Sequence, residues 1–178
     1  MKNDLEVYLF YRDQFRTGDM IAWKSNSTIG KLIRWRTVPR SVPEDSHLNV
    51  NHTSGIIRLK EYEGEARRVF VTESLEAGTV LNLLSRRLEK FDGHVWWYPL
   101  KDGWNSKRRK IGETALEYIG IKYDYKSIME MITGSVSVDV KKFFCTEYYY
   151  HQLGFKGKAP NPYQICCMEF FQLPVRII

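Results

Sequence analysis

Apolar and polar positions along the chain predict short strands interleaved with short helices. Asp19 to Trp23, opened by Gly18, is an apolar run of strand length, and Ser27 to Arg36 sets Ile29, Leu32, Ile33 and Trp35 at helical spacing. Val38 to Asp45 holds Pro39 and Pro43 among Ser, Glu and Asp and reads as an exposed loop. Beyond Asn51 the period shortens: Ser54 to Leu59 and Arg68 to Glu73 are β-rich runs joined by Glu61 to Glu65, a polar, Gly-containing connection of hairpin type. These two strands are expected to pair antiparallel, with His52 and Glu73 near their outer ends. Thr79 to Leu84 and Val95 to Pro99 read as further strands, the second placing Trp96 and Trp97 on opposite faces of its sheet.

A helical stripe returns from Asn105 to Ile119 through Ile111, Ala115, Leu116 and Ile119, with Gly120 as its stop. Lys122 to Tyr125 follows as a loop. Phe143 to His151 reads as the entry and first turns of another helix. Strands and helices in this proportion, without repeats, predict a single α+β domain over residues 1–178.

Composition narrows the picture. Apolar residues make up 43% of the 178, and aromatics 14%, which suffices for a buried core. No window is long and apolar enough to cross a bilayer, and the charged opening Met1 to Glu6 has no apolar stretch behind it, so a cytoplasmic protein is expected. The three cysteines are odd in number and Cys166 and Cys167 are adjacent, which favours reduced thiols over disulfides. His47, His52, His94 and His151 have no metal-ligand spacing, so neither metal nor other cofactor is expected. The net charge of +6 steers association with anions without specifying chemistry. Its densest run, Lys107 to Lys110, lacks the interleaved aromatics of a single-strand binding surface and reads as a solvated loop or helix start; no specific nucleic-acid partner is expected.

Three side chains offer chemistry. A thiol attacks a carbonyl as thiolate, and Cys145 stands at a predicted helix start, where unpaired N–H groups favour negative charge. On residue type alone a free cysteine is more readily a small buried hydrophobe, the reading kept for Cys166 and Cys167. His52 and Glu73 alone suit a strand-end histidine and a solvated turn acid. Their predicted place at one end of a sheet makes them a candidate base and orienting group. Trp23, Trp35, Trp96, Trp97 and Trp104 are expected in the core, with an acyl pocket as the alternative.

Motifs in a particular order then carry a resemblance. Gly18 to Trp23 with Ser27 to Thr37, then Asn51 to Ile57, Val71 to Val80, Gly120 to Tyr125 and Phe144 to Tyr148 resemble the successive motifs of permuted NlpC-type papain-like proteins, in particular the YiiX-like group, relatives of lecithin:retinol acyltransferase-like proteins. Asn161 to Tyr163 resembles the proline segment that trails the cysteine helix. The likeness covers residues 15 to 165. Two departures are Thr53, where an apolar residue usually follows the histidine, and Thr146, where serine is commoner.

The resemblance implies a circularly permuted papain-like fold, with an antiparallel sheet packed against the helix carrying the cysteine. It implies a Cys145, His52, Glu73 triad cleaving an amide bond of a small-molecule, peptide or lipid substrate through a thioester, with Tyr123 as a substrate-binding group. An acyltransferase or lipid-handling enzyme of the same fold, or a non-catalytic binding module, are the alternatives.

Overall fold

The structure is a computed structural model, and it describes residues 5–59, 68–75, 78–121 and 145–178. Its frame is a six-stranded sheet in the order β4-β3-β2-β1-β5-β6, each pair antiparallel. The strands are β1 (Met20–Ser25), β2 (His52–Ile57), β3 (Phe70–Leu75), β4 (Gly78–Leu83), β5 (Gly93–Tyr98) and β6 (Val175–Arg176). Among the described residues six α-helices accompany them: α1 (Glu6–Tyr11), α2 (Thr28–Thr37), α3 (Leu84–Glu89), α4 (Arg108–Glu117), α5 (Cys145–Gln152) and α6 (Pro162–Cys166). Among the described residues no helix is long and apolar enough to cross a membrane. The predicted hairpin connection Glu61 to Glu65 and the Lys122 to Tyr125 loop lie outside the described residues.

Strand alternation divides the core in two. Ile21, Trp23, Ile56, Val71, Val95 and Trp97 point to one face, which Tyr8 of α1 and Leu84 and Leu88 of α3 cover. Met20, Ala22, Trp96 and Tyr98 point to the other, where Tyr149 of α5 and Ile111 of α4 pack. Trp96 and Trp97 thus part to opposite faces, as their adjacency predicts.

Helix α5 is pinned at several points. Tyr148 Oη donates to the Ala115 carbonyl at 2.7 Å and Tyr149 Oη to the Gly18 carbonyl at 2.8 Å, while Gln152 Nε2 donates to Thr72 Oγ1 at 3.1 Å. Its approach to the sheet depends on Gly55, because a Cβ there would collide with Gln152 Oε1 and press on Thr72 Oγ1 and the Tyr149 ring. Gly55→Ala is therefore expected to cost about 1–3 kcal/mol, the usual range for overpacking a close-packed site. Urea unfolding checks this, and a midpoint equal to the parent's would place the α5 contact elsewhere.

Three sequence expectations change. The Lys107 to Lys110 run is not wholly solvated: Arg108 is buried, its Nη1 2.8 Å from Asp19 Oδ1 and its Nη2 3.2 Å from the Leu100 carbonyl. Asp19 also accepts from Trp97 Nε1 and the backbone N–H groups of Arg16 and Leu100, so this buried carboxylate is fully engaged. Of the two trailing cysteines only Cys166 is buried, and Cys167 is exposed, because α6 ends at Cys166 and the chain turns outward. Trp35 stands in solvent rather than in the core, whereas Trp23, Trp96 and Trp97 are buried.

Candidate active site

His52 opens β2, at the margin of the sheet, with Trp23 of β1 as its cross-strand partner. Glu73 lies inside β3 rather than at its end. The pairing of Gly55 with Thr72, continued by one position, sets Glu73 opposite Ser54 and diagonal to His52 on the same face. The diagonal suits the side chains, and His52 Nε2 and Glu73 Oε2 are 3.2 Å apart. Glu73 is fully buried, not a solvated turn residue.

Cys145 comes from the opposite side. Its helix packs on the face of Gly55 and Thr72, yet as first residue of α5 its thiol comes around the sheet margin to interact with the His52 ring. The imidazole is therefore held between a sulfur from one face and a carboxylate from the other. Thr53 and Thr146, whose Oγ1 lies 3.7 Å from Cys145 Sγ, line the thiol. The two departures from the resembled pattern also touch each other, since Thr53 Oγ1 donates to Thr146 Oγ1 at 3.3 Å within a buried contact. Tyr123 lies outside the described residues.

Electrostatics favour an ion pair. Burial pushes the Cys145 thiol up, but His52 and the donors from Thr53 and Thr146 outweigh it and hold the thiol below the usual thiol range. Burial pushes His52 down, but Cys145 and Glu73 prevail and raise it to about 9. For Glu73 burial acts upward, while hydrogen bonds from His52 and Arg87 bring it down to about 2. Cys166 has none of this company: burial pushes its thiol up to about 12.

Two members of the site escaped sequence reading. Arg87 forks onto Glu73, Nε to Oε1 at 2.6 Å and Nη2 to Oε2 at 3.1 Å, and its guanidinium lies 5.2 Å from the Trp23 ring centre. Asn82 Nδ2 adds a donor to Oε1 at 3.1 Å. Trp23 is held in turn by Nε1 donating to Ser54 Oγ at 2.7 Å. A signal for Arg87 exists: on a helix it shares a face with Leu84 and Leu88, both buried, whereas Arg86 does not.

No protein-family model and no curated protein matches the chain. Among solved structures it is similar to the crystal structure of the metalloprotein yiiX from Escherichia coli O157:H7, with a TM-score of 0.56 and 19% sequence identity. The match covers 78% of this chain and 64% of that one, so it spans less than two thirds of the other protein's length. At this identity the likeness is one of fold: a YiiX-like arrangement of helices about an antiparallel sheet.

Proposed function

We propose that this chain is a cysteine-dependent hydrolase of the permuted NlpC-type papain-like kind, with Cys145 as nucleophile, His52 as proton carrier and Glu73 as orienting group. The observation that carries the reading is His52 held between the Cys145 thiol and the Glu73 carboxylate. The chain order, histidine strand before cysteine helix, supports the permuted arrangement, and the likeness to yiiX supports the fold side of it.

With Nε2 directed at Glu73, Nδ1 is the ring nitrogen left for the sulfur. In the proposed reaction the Cys145 thiolate forms a C–S bond to the carbonyl carbon of an amide or ester. His52 gives its proton to the departing amine or alkoxide as that bond breaks, then takes one from the water that hydrolyses the thioester. Glu73 stays ionised throughout and fixes ring orientation, the part the carboxylate plays in a Ser-His-Asp triad. The substrate class fits a peptide-like or lipid amide.

The neighbour's description as a metalloprotein does not carry over to this site. Among the described residues no group of three His, Cys, Asp or Glu side chains is arranged to hold a metal ion, and a dication at Glu73 would have to displace the Arg87 fork.

The test is acylation by p-nitrophenyl acetate followed by intact-mass analysis. The expected result is rapid release of one equivalent of nitrophenol with an acetyl group on Cys145, and loss of both in Cys145→Ala. Transfer of that acetyl to an added amine in preference to water would assign the site to acyl transfer. Release that persists in Cys145→Ala would sink the proposal.

A further inference from the structure

Helix α2 is amphipathic in the reverse sense to its apolar pattern. Gly30, Ile33 and Arg34 face the protein, while Ile29, Leu32 and Trp35 remain 64%, 41% and 70% exposed. At 3.6 residues per turn Leu32 and Trp35 stand at the centre of the outward face, with Ile29 and Arg36 on one flank and Lys31 on the other. Arg40 is exposed just past the helix end. The nearby carboxylate of Glu44 is engaged by Lys24 and Arg34, and among the described residues Lys31, Arg36 and Arg40 have no ion-pair partner.

The orientation is built in. Asn51 Oδ1 accepts from Ser25 N at 2.7 Å and from Arg34 Nη1 at 3.2 Å, and Gly30 closes against the Asn51 side chain. Arg34 also donates to the Ser25 carbonyl at 2.5 Å. These bonds turn the polar Arg34 inward and leave the large apolar side chains outside. They also seat α2 beside the residue preceding His52.

We infer that α2 seats this protein on an anionic lipid surface, Trp35, Leu32 and Ile29 entering the headgroup boundary while Lys31, Arg36 and Arg40 face acidic headgroups. A short apolar face ringed by cations is the composition of helices that lie in a membrane interface. Tryptophan suits that depth because its ring is apolar and its N–H is wet. A stable protein interface buries about 1,200–2,000 Å² in total, well beyond what three side chains supply. Nucleic acid would match the cations and leave the apolar centre without a role. The inference stands apart from the catalytic reading, and either can fail without the other.

The test is co-sedimentation of the full chain with phosphatidylcholine vesicles, with and without phosphatidylserine, together with tryptophan emission. Binding is expected to the mixed vesicles and to weaken with salt. A blue shift is expected on binding, because Trp35 is the most exposed tryptophan, and Trp35→Phe removes it. Each cation near an acidic surface changes partitioning roughly five-fold, so combined Lys31→Glu, Arg36→Glu and Arg40→Glu, which removes three cations and adds three anions, lowers binding by at least about a hundred-fold. Combined Leu32→Ser and Trp35→Ser lowers it at least about ten-fold with an unchanged circular dichroism spectrum.

Lys107→Glu, Arg109→Glu and Lys110→Glu make the same change in net charge elsewhere and should retain most of the binding. Equal loss in this control, absence of binding to the mixed vesicles, or a dimer dissolved by Trp35→Ser would overturn the assignment, the last giving the face to a second copy of the chain.

Discussion

Iodoacetamide is expected to alkylate Cys145 with a half-maximal pH well below 8.5, and His52→Ala is expected to slow that reaction at pH 6 by on the order of a hundred-fold. At that pH an ordinary thiol is largely protonated, whereas His52 and donors from Thr53 and Thr146 shift Cys145 toward the thiolate. Removing the imidazole leaves burial, which acts upward on this thiol, opposed only by the donors from Thr53 and Thr146. The lower intrinsic nucleophilicity of a low-pKa thiolate tempers the ratio, which is why the gain stays below the full difference in thiolate fraction. Turnover has a second limit: it needs imidazolium to protonate the leaving group, so activity should rise through the depressed thiol pKa and fall above about 9, where His52 loses its proton.

Exposed Cys167 is replaced by serine for this measurement, and buried Cys166, ionising near 12, stays silent. A parent profile centred at an ordinary thiol pKa would remove the ion pair and the triad with it. A depressed profile that survives His52→Ala would assign the activation to the helix start alone.

Arg87→Met should destabilise the fold by about 3–5 kcal/mol, the cost of leaving one member of a buried ion pair without its partner. Glu73 has no solvent access and takes four hydrogen bonds, two of them from Arg87. In a chain of this length the loss corresponds to a fall in Tm of roughly 10 °C. Acid pH exposes the same linkage. Glu73 ionises near 2 in the fold against 4.5 ordinarily, so its contribution is present above pH 4.5 and is lost as pH falls toward 2. Without Arg87 the depression shrinks, and acid unfolding should begin at higher pH than in the parent.

Glu73→Gln separates the two roles of this carboxylate. It removes the acid-linked term, and it should also lower the His52 pKa from about 9, moving the alkaline limb of activity downward. Thermal scans of Arg87→Met that match the parent would mean that His52 and Asn82 suffice to hold Glu73.

Much of the architecture was legible before any coordinates. Short apolar or β-rich runs marked β1, β2, β3 and β5, and the parting of Trp96 and Trp97 follows from strand geometry alone. His52 and Glu73 were placed on neighbouring antiparallel strands because their spacing fits two strands and a connection. The diagonal register within that pair was not legible, since it depends on a pairing set by packing of both faces.

Direction is what the pattern withholds. A helical stripe of Ile29, Leu32 and Trp35 normally marks a buried face, and only the Asn51 and Arg34 hydrogen bonds turn it outward. Arg108 sits in a run of four cations, and only the approach of Asp19, distant along the chain, selects it for burial. The amino-acid sequence by itself determined which residue types can ionise, attack or alternate across a sheet, because these are properties of side chains and of local backbone period. Tertiary structure alone decided which of them meet. Cys145 and Glu73 approach His52 from opposite faces of the sheet, and that depends on the glycine that lets α5 close on β2 and the guanidinium that keeps Glu73 charged in the core.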